Sequence, residues 1–332
     1  MVLTLLLAVA SSAKSADKSH KSDVETTEQG SAVLWRNPGD LKARDLFYGP
    51  DGEAHAPHTA YTFDKEDRDG TSPKFIVHDE NGVRWKVKMR YEARPETVAS
   101  RLVWAVGYTT NEDYFLPELT VAGMPGHLHR GQHEPQGTAH DVQVKRCLDG
   151  EKKLGIWKWS DNPFSSTREL NGLRVMMTLI NNWDLKDDNN SIYHEKQAEG
   201  SGAENIYMVS DIGASFGSTG LDWTQNLSKG NLKSYSHSKF ISKVTRQYVD
   251  FNVPTRASII NIFDPPEYVM RLQLRWIGKR IPCDDVHWIG QLLAQLSPGQ
   301  IRDAFRAAGY APDEVEAFAK VVENRIADLR TP

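Results

Sequence analysis

Asn81 and Gly82 stand between two runs of alternating character, "KFIVHDE" and "VRWKVKMRY". Both residues tolerate a positive φ, so the pair predicts a tight hairpin joining two antiparallel strands, Lys74 to His78 and Val83 to Met89. A hairpin needs further strands to cover its apolar face. Candidates lie on both sides: "HTAYTFDKED" before it, "YFLPELTV" and "DVQVKRCL" after it. One helix interrupts them. In "EARPETVASRLVWAVGY", Pro95 suits a first turn and Glu96 its positive dipole, Val98, Leu102 and Ala105/Val106 share a face, and Gly107 ends the run.

The second half of the chain changes period. "STRELNGLRVMMTLINN" carries Leu170, Leu173, Val175 to Met177 and Ile180, which predicts a largely buried helix, and two strands follow at "SIYHE" and "NIYMVSD". Amphipathic helices close the chain. "SPGQIRDAFRAAGY" opens on a Ser297/Gln300 capping box, and "APDEVEAFAKVVENRIADL" sets Val315, Phe318, Val322 and Ile326 on one stripe. The expected class is α+β: a β-rich N-terminal lobe with one main helix over residues 32–150, then a larger helical C-terminal lobe over 151–330, with the polar "DGEKKLG" as linker.

The chain has 332 residues, 39% hydrophobic and 25% charged, with a formal net charge of -4. That composition suits a folded protein and supplies no basic field for nucleic acid. "MVLTLLLAVASSAKSA" predicts a signal peptide over 1–16 and a disordered leader over 17–31, hence a secreted or periplasmic chain, or a cytoplasmic one if the segment stays uncleaved. No membrane span is expected in the mature chain. Cys147 and Cys283 are too few for a disulfide framework and are expected as separate thiols. His127, His129, His133 and His140 surround glycines and a proline and read as a solvated loop rather than a zinc site. The tryptophans, Trp276 among them, are expected in packing roles.

Between the buried helix and the late strand pair lies "NNWDLKDDNNSIY", rich in Asp and Asn, and after the pair comes "SDIGASFG". Such a loop alone could be a polar turn. "WDLKDDN" followed by "SDIG", in that order and separated by a hairpin, resembles the catalytic loop and the Asp-Phe-Gly element of the protein-kinase-like superfamily. The chain is similar to its atypical branch: HipA-type, phosphatidylinositol-kinase-type and secretory-pathway kinases. The resemblance covers roughly Lys74 to Gly217. It implies a two-lobed kinase-like fold and a phosphotransferase moving the γ-phosphate of ATP, with Mg2+ or Mn2+, to a hydroxyl acceptor. Asp184 would be the base, Lys186 would steady the γ-phosphate, and Asn189 and Asp211 would hold metal. Lys88 or Lys86, which strand alternation puts on one face, would grip the α and β phosphates with Glu96 as ion-pair partner.

Asn182 and Trp183 replace the usual His-Arg, Ile212 replaces Phe, and no Ala-Pro-Glu follows. The nearest stand-in for a glycine-rich loop is "FYGPDGEAHAPH". These departures keep open an alternative, an exported pseudokinase or binding scaffold.

Overall fold

In a computed structural model of the chain, the described residues are 30–58, 60–68, 73–89, 91–129, 137–147, 152–196, 202–217, 228–254 and 265–331. The expected signal peptide, His133, Trp223 and most of the expected leader lie outside them. Strands are β1 Ser31–Val33, β2 Tyr61–Asp67, β3 Lys74–Asp79, β4 Arg84–Met89, β5 Asp113–Ala122, β6 Thr138–Arg146, β7 Lys152–Gly155, β8 Asn190–Lys196, β9 Ala203–Val209, β10 Ile241–Val244, β11 Tyr248–Phe251 and β12 Ile281–Pro282. Helices are α1 Ala93–Ala105, α2 Arg168–Leu179, α3 Leu232–His237, α4 Pro265–Gln273, α5 Cys283–Leu293, α6 Pro298–Ala307 and α7 Pro312–Arg330.

The expected hairpin forms: β3 and β4 pair antiparallel, Lys74 opposite Lys88 and Val77 opposite Trp85. They belong to a closed barrel in the order β2-β3-β4-β6-β5. A parallel pairing of β2 with β5 closes it and leaves no edge. Alternation fills the interior with Phe75, Val77, Trp85, Val87, Val142 and Val144, all buried.

The larger core lies outside the barrel. It takes Val98, Leu102 and Val103 from α1, most of α2, and Phe305, Phe318 and Val322 from α6 and α7. The helix carrying Glu96 is therefore cemented into the larger core, and the two halves share one packed body. Phe305 and Phe318 stack at 5.1 Å, interplanar angle 13°, as offset rings prefer. Arg325 of α7 donates to the carbonyl of Leu179 at 2.8 Å, placing a cation at the negative end of α2. The Ser297/Gln300 capping box is present at α6.

Two details differ from the sequence expectation. The segment expected as a linker contributes β7, which pairs with β8, and β1 joins the same sheet parallel to β9. Pattern alone does not reveal either pairing, because both strands are too short to alternate convincingly. Trp276 is 40% exposed, unlike Trp157 and Trp159, which are buried. Cys147 and Cys283 are separate thiols. No helix among the described residues is long and apolar enough to cross a membrane.

Candidate active site

The site begins where β4 hands over to α1. Lys88, near the end of β4, is 6% exposed and points inward. Its Nζ lies 2.6 Å from Glu96 Oε2, 2.6 Å from Glu92 Oε2 and 3.1 Å from Asp211 Oδ1. One cation thus gathers three carboxylates, one of them 123 positions away. Lys86 does not come to this cluster. It pairs with Asp67 of β2 at 2.9 Å and is 41% exposed, so a shared strand face does not mean a shared environment.

The cluster's electrostatics follow from burial and that single lysine. Burial pushes Glu96 up to about 8; Lys88 pulls the other way, and the charges of Asp211 and Glu92 add to the rise. Burial opposes the charge of Glu92 too, but Lys88 and Lys229 outweigh it and hold that carboxyl well below the usual range. Burial likewise opposes the charge of Lys88, yet Asp211, Glu92 and Glu96 raise it well above its ordinary value. The cluster therefore favours a charged Lys88 and an ionised Glu92, while burial makes ionisation of Glu96 the least favourable of the three.

Gly213 explains the glycine of "SDIG": an added Cβ would lie 2.8 Å from Glu96 Oε2 and 2.9 Å from the Glu92 Cβ. Only a residue without a side chain lets this loop close on α1.

The Asp/Asn loop is bound to the same place. Asn181 takes a left-handed backbone, φ 59°, and ends the helical run. Asn182 N–H then donates to Met177 O at 2.8 Å. Asn189 donates its side-chain Nδ2 to Asp184 O at 2.6 Å, closing the loop on itself. Its own carbonyl accepts from Ser210 N at 2.8 Å and Asp211 N at 3.2 Å. Trp183 N donates to Ala214 O, and Phe216 N to Ile180 O. The loop carrying Asp184 and the loop carrying Asp211 are thus zipped together by main-chain bonds.

Asp184 is a quarter exposed on its side chain. Arg271 Nη1 of α4 lies 3.0 Å from its Oδ1 while donating to Trp183 O at 3.1 Å, and the guanidinium stacks 4.7 Å above the Trp183 ring. Lys186 Nζ is 3.7 Å from the same Oδ1. That oxygen is buried and, among the described residues, accepts no hydrogen bond, so the two cations meet it as ionic partners. Asn189 spends its amide nitrogen within the loop; Asp211 uses one carboxylate oxygen on Lys88, and its side chain is 42% exposed. Among the described residues, the acidic group whose oxygens, one from each residue, all lie within 4.8 Å of one another is Glu92, Glu96 and Asp211.

Lys88, Glu96 and Asp211 are brought together, and Asp184, Lys186 and Asn189 are brought into one loop fastened to Asp211. Sequence reasoning passed over Glu92, Lys229 and Arg271. Glu92 follows Lys88 by four residues across a strand-to-helix junction where no periodicity applies, though the spacing was there to notice. Lys229, which bonds Glu92, and Arg271 come from distant segments that carry no motif. The glycines of "FYGPDGEAHAPH" go elsewhere: Gly49 packs against Arg101, and Gly52 O accepts from Tyr114 OH at 2.9 Å. Residues 218–227, after Gly217, lie outside the described residues.

A support for α1 lies behind the cluster. Arg101 and Asp113 are 1% and 0% exposed on their side chains and bond at 3.0 Å. Ser100 Oγ and Gln143 Nε2 each donate to Asp113 Oδ2 at 2.7 Å. The network fixes α1 against β5 and β6 one turn after Glu96.

No protein-family model and no curated protein matches the chain. Among solved structures it is similar to the Helicobacter pylori proinflammatory kinase CtkA, at 10% identity over 83% of this chain and 97% of that one, TM-score 0.43. A Rio2 kinase–ADP/Mg2+–phosphoaspartate complex from Chaetomium thermophilum aligns at 12% identity over 81% of this chain and 72% of that one, TM-score 0.34. The golgi casein kinase aligns at 11% identity over 83% and 73%, TM-score 0.34. Superpositions this loose say nothing of activity. On its own element order, the chain is α+β, with a β-rich N-terminal part and a helical C-terminal part.

Proposed function

We propose that the chain is an atypical kinase-like phosphotransferase that moves the γ-phosphate of ATP to a hydroxyl acceptor. One observation carries this: Lys88 of the barrel meets Glu96 of α1 and Asp211 of the late loop within 3.1 Å, while Asp184 and Asn189 are locked to that same loop. Structural ion pairs also occur in buried clusters, but here the adjacent loop adds a further carboxylate, Asp184, whose side chain is a quarter exposed and lies beside Arg271 and Lys186.

Each residue has a physical task in that reading. Lys88, held charged by its carboxylates, binds the α and β phosphates as a buried cation. Glu96 and Glu92 hold its ammonium at the end of β4. Asp211 and Asn189 would hold Mg2+ or Mn2+, which when bound neutralises charge on the phosphates. Asp184 orients the acceptor hydroxyl and takes its proton, Arg271 keeping that carboxylate in place, and Lys186 meets the transferred group. Phosphoryl transfer asks mainly for such positioning and charge neutralisation.

The test is turnover of ATP to ADP with Mn2+ present, in wild type, Asp211→Ala and Asp184→Asn. Asp211→Ala should lose nucleotide binding; Asp184→Asn should keep binding and lose transfer. If both variants bind and turn over like wild type, the assignment is wrong.

A further inference from the structure

The helical part carries a cavity of about 340 Å³ between the segment before α2, the first half of α2 and the turn before α5. Its size falls in the range of ligand pockets. Two guanidiniums line it, Arg174 and Arg280. Arg174 is 8% exposed, and its hydrogen bonds go to neutral oxygens: Ile277 O at 2.8 Å, Trp276 O at 3.1 Å, Lys279 O at 2.6 Å and Asn171 Oδ1 at 2.5 Å. It reaches Asp285 through the Asn171 amide, which donates to that carboxylate at 2.7 Å. Burial pulls Arg174 down to about 10, against the charge of Asp285. Arg280 lies 4.8 Å over the Tyr248 ring, and its backbone N–H donates to Asp250.

Further residues shape the same space. Trp159 forms part of the cavity wall and is 2% exposed, its ring packed against Trp157 at 4.9 Å. Ser166 and Arg280, also lining residues, hold left-handed backbones at φ 69° and 53°. Non-glycine residues pay strain there, and such strain gathers where ligands bind. Trp276 stands at the rim, an exposed aromatic face.

We infer that this cavity binds a small anionic ring compound, a phosphate or carboxylate group joined to an aromatic body, separately from the nucleotide cleft. The anionic group meets Arg280 and the charge of Arg174; guanidinium forks match both kinds of oxyanion. The ring lies against Trp276. Trp159 also donates its backbone N–H to Asp187 Oδ1 at 3.1 Å, so the cavity wall is tied to the loop that carries Asp184 and Asn189.

Calorimetric titration of the full chain with phenyl phosphate, with phthalate and with inorganic phosphate tests this. At least one ring compound should bind saturably, about tenfold or more tighter than inorganic phosphate. Arg280→Gln and Trp276→Ala, with circular dichroism confirming their fold, should each weaken that binding about tenfold or more, while Asp211→Ala leaves it unchanged. Which ring compound binds distinguishes a phosphate from a carboxylate head group. Absence of binding by both, equal binding of inorganic phosphate, wild-type binding in both cavity variants, or loss in Asp211→Ala would each overturn the inference. None of these outcomes depends on the chain transferring phosphate.

Discussion

The proton on Glu96 offers a sharp test, because Glu96→Gln copies the protonated carboxyl and removes its titration. Glu96 rises from 4.5 to about 8 on folding, chiefly through burial. A carboxyl raised in this way contributes its full stability below 4.5 and loses it as pH climbs through 8, since the unfolded chain can shed the proton that the folded chain must keep. Integrating that linkage gives a loss of about 3 kcal/mol between pH 5 and pH 7, approaching about 5 kcal/mol above pH 8. Glu92 stays ionised and Lys88 charged throughout, so neither cancels the effect. Melts of wild type and Glu96→Gln, run in EDTA at several pH values, should diverge. The variant should gain about 3 kcal/mol on wild type from pH 5 to pH 7, or about 6–12 °C in Tm at a few degrees per kcal/mol. A difference that stays flat across that window would mean that Glu96 is already ionised in the folded chain, and the account of the cluster would fall.

Other perturbations reach different parts of the structure. Arg101→Met leaves the Asp113 carboxylate buried without its cation and should cost about 3–5 kcal/mol in urea denaturation; a loss under about 1 kcal/mol would contradict the buried network. Gly213→Ala drives a Cβ against Glu96 and Glu92 and should cost about 1–3 kcal/mol while weakening nucleotide binding, measured by denaturation and titration together. Phe318→Ala removes a fully buried ring stacked on Phe305 and should cost about 3–5 kcal/mol without changing relative nucleotide affinity at temperatures where the variant is folded.

The barrel hairpin and the terminal helices could be read in advance because their signals are local. Asn81-Gly82 dictates its own turn, and the Val315, Phe318, Val322 and Ile326 stripe has a single amphipathic solution; all four are buried. Closure of the barrel was not legible. The parallel contact of Tyr61 and Thr62 with Val121 and Ala122 joins strands sixty positions apart, and nothing in either run announces it. The same split holds at the site. Asp184, Asn189 and Asp211 could be singled out because their order on either side of one hairpin is itself a pattern. The choice of Lys88 over Lys86 was a matter of which neighbour, Asp67 or Glu96, lay closer in space, and periodicity is blind to that. Arg271 illustrates the limit: its contact with Asp184 exists only because α4 folds back over Trp183.

The central claim is that Lys88, Asp211 and Asn189 build one seat for a metal-bound nucleotide. Isothermal titration of ATP into the chain, with Mn2+ and again with EDTA, tests it most directly. The account predicts saturable binding that needs the metal and disappears in Asp211→Ala and Lys88→Met. Binding of equal strength without metal and in both variants, or no binding by the folded wild-type chain, would contradict it.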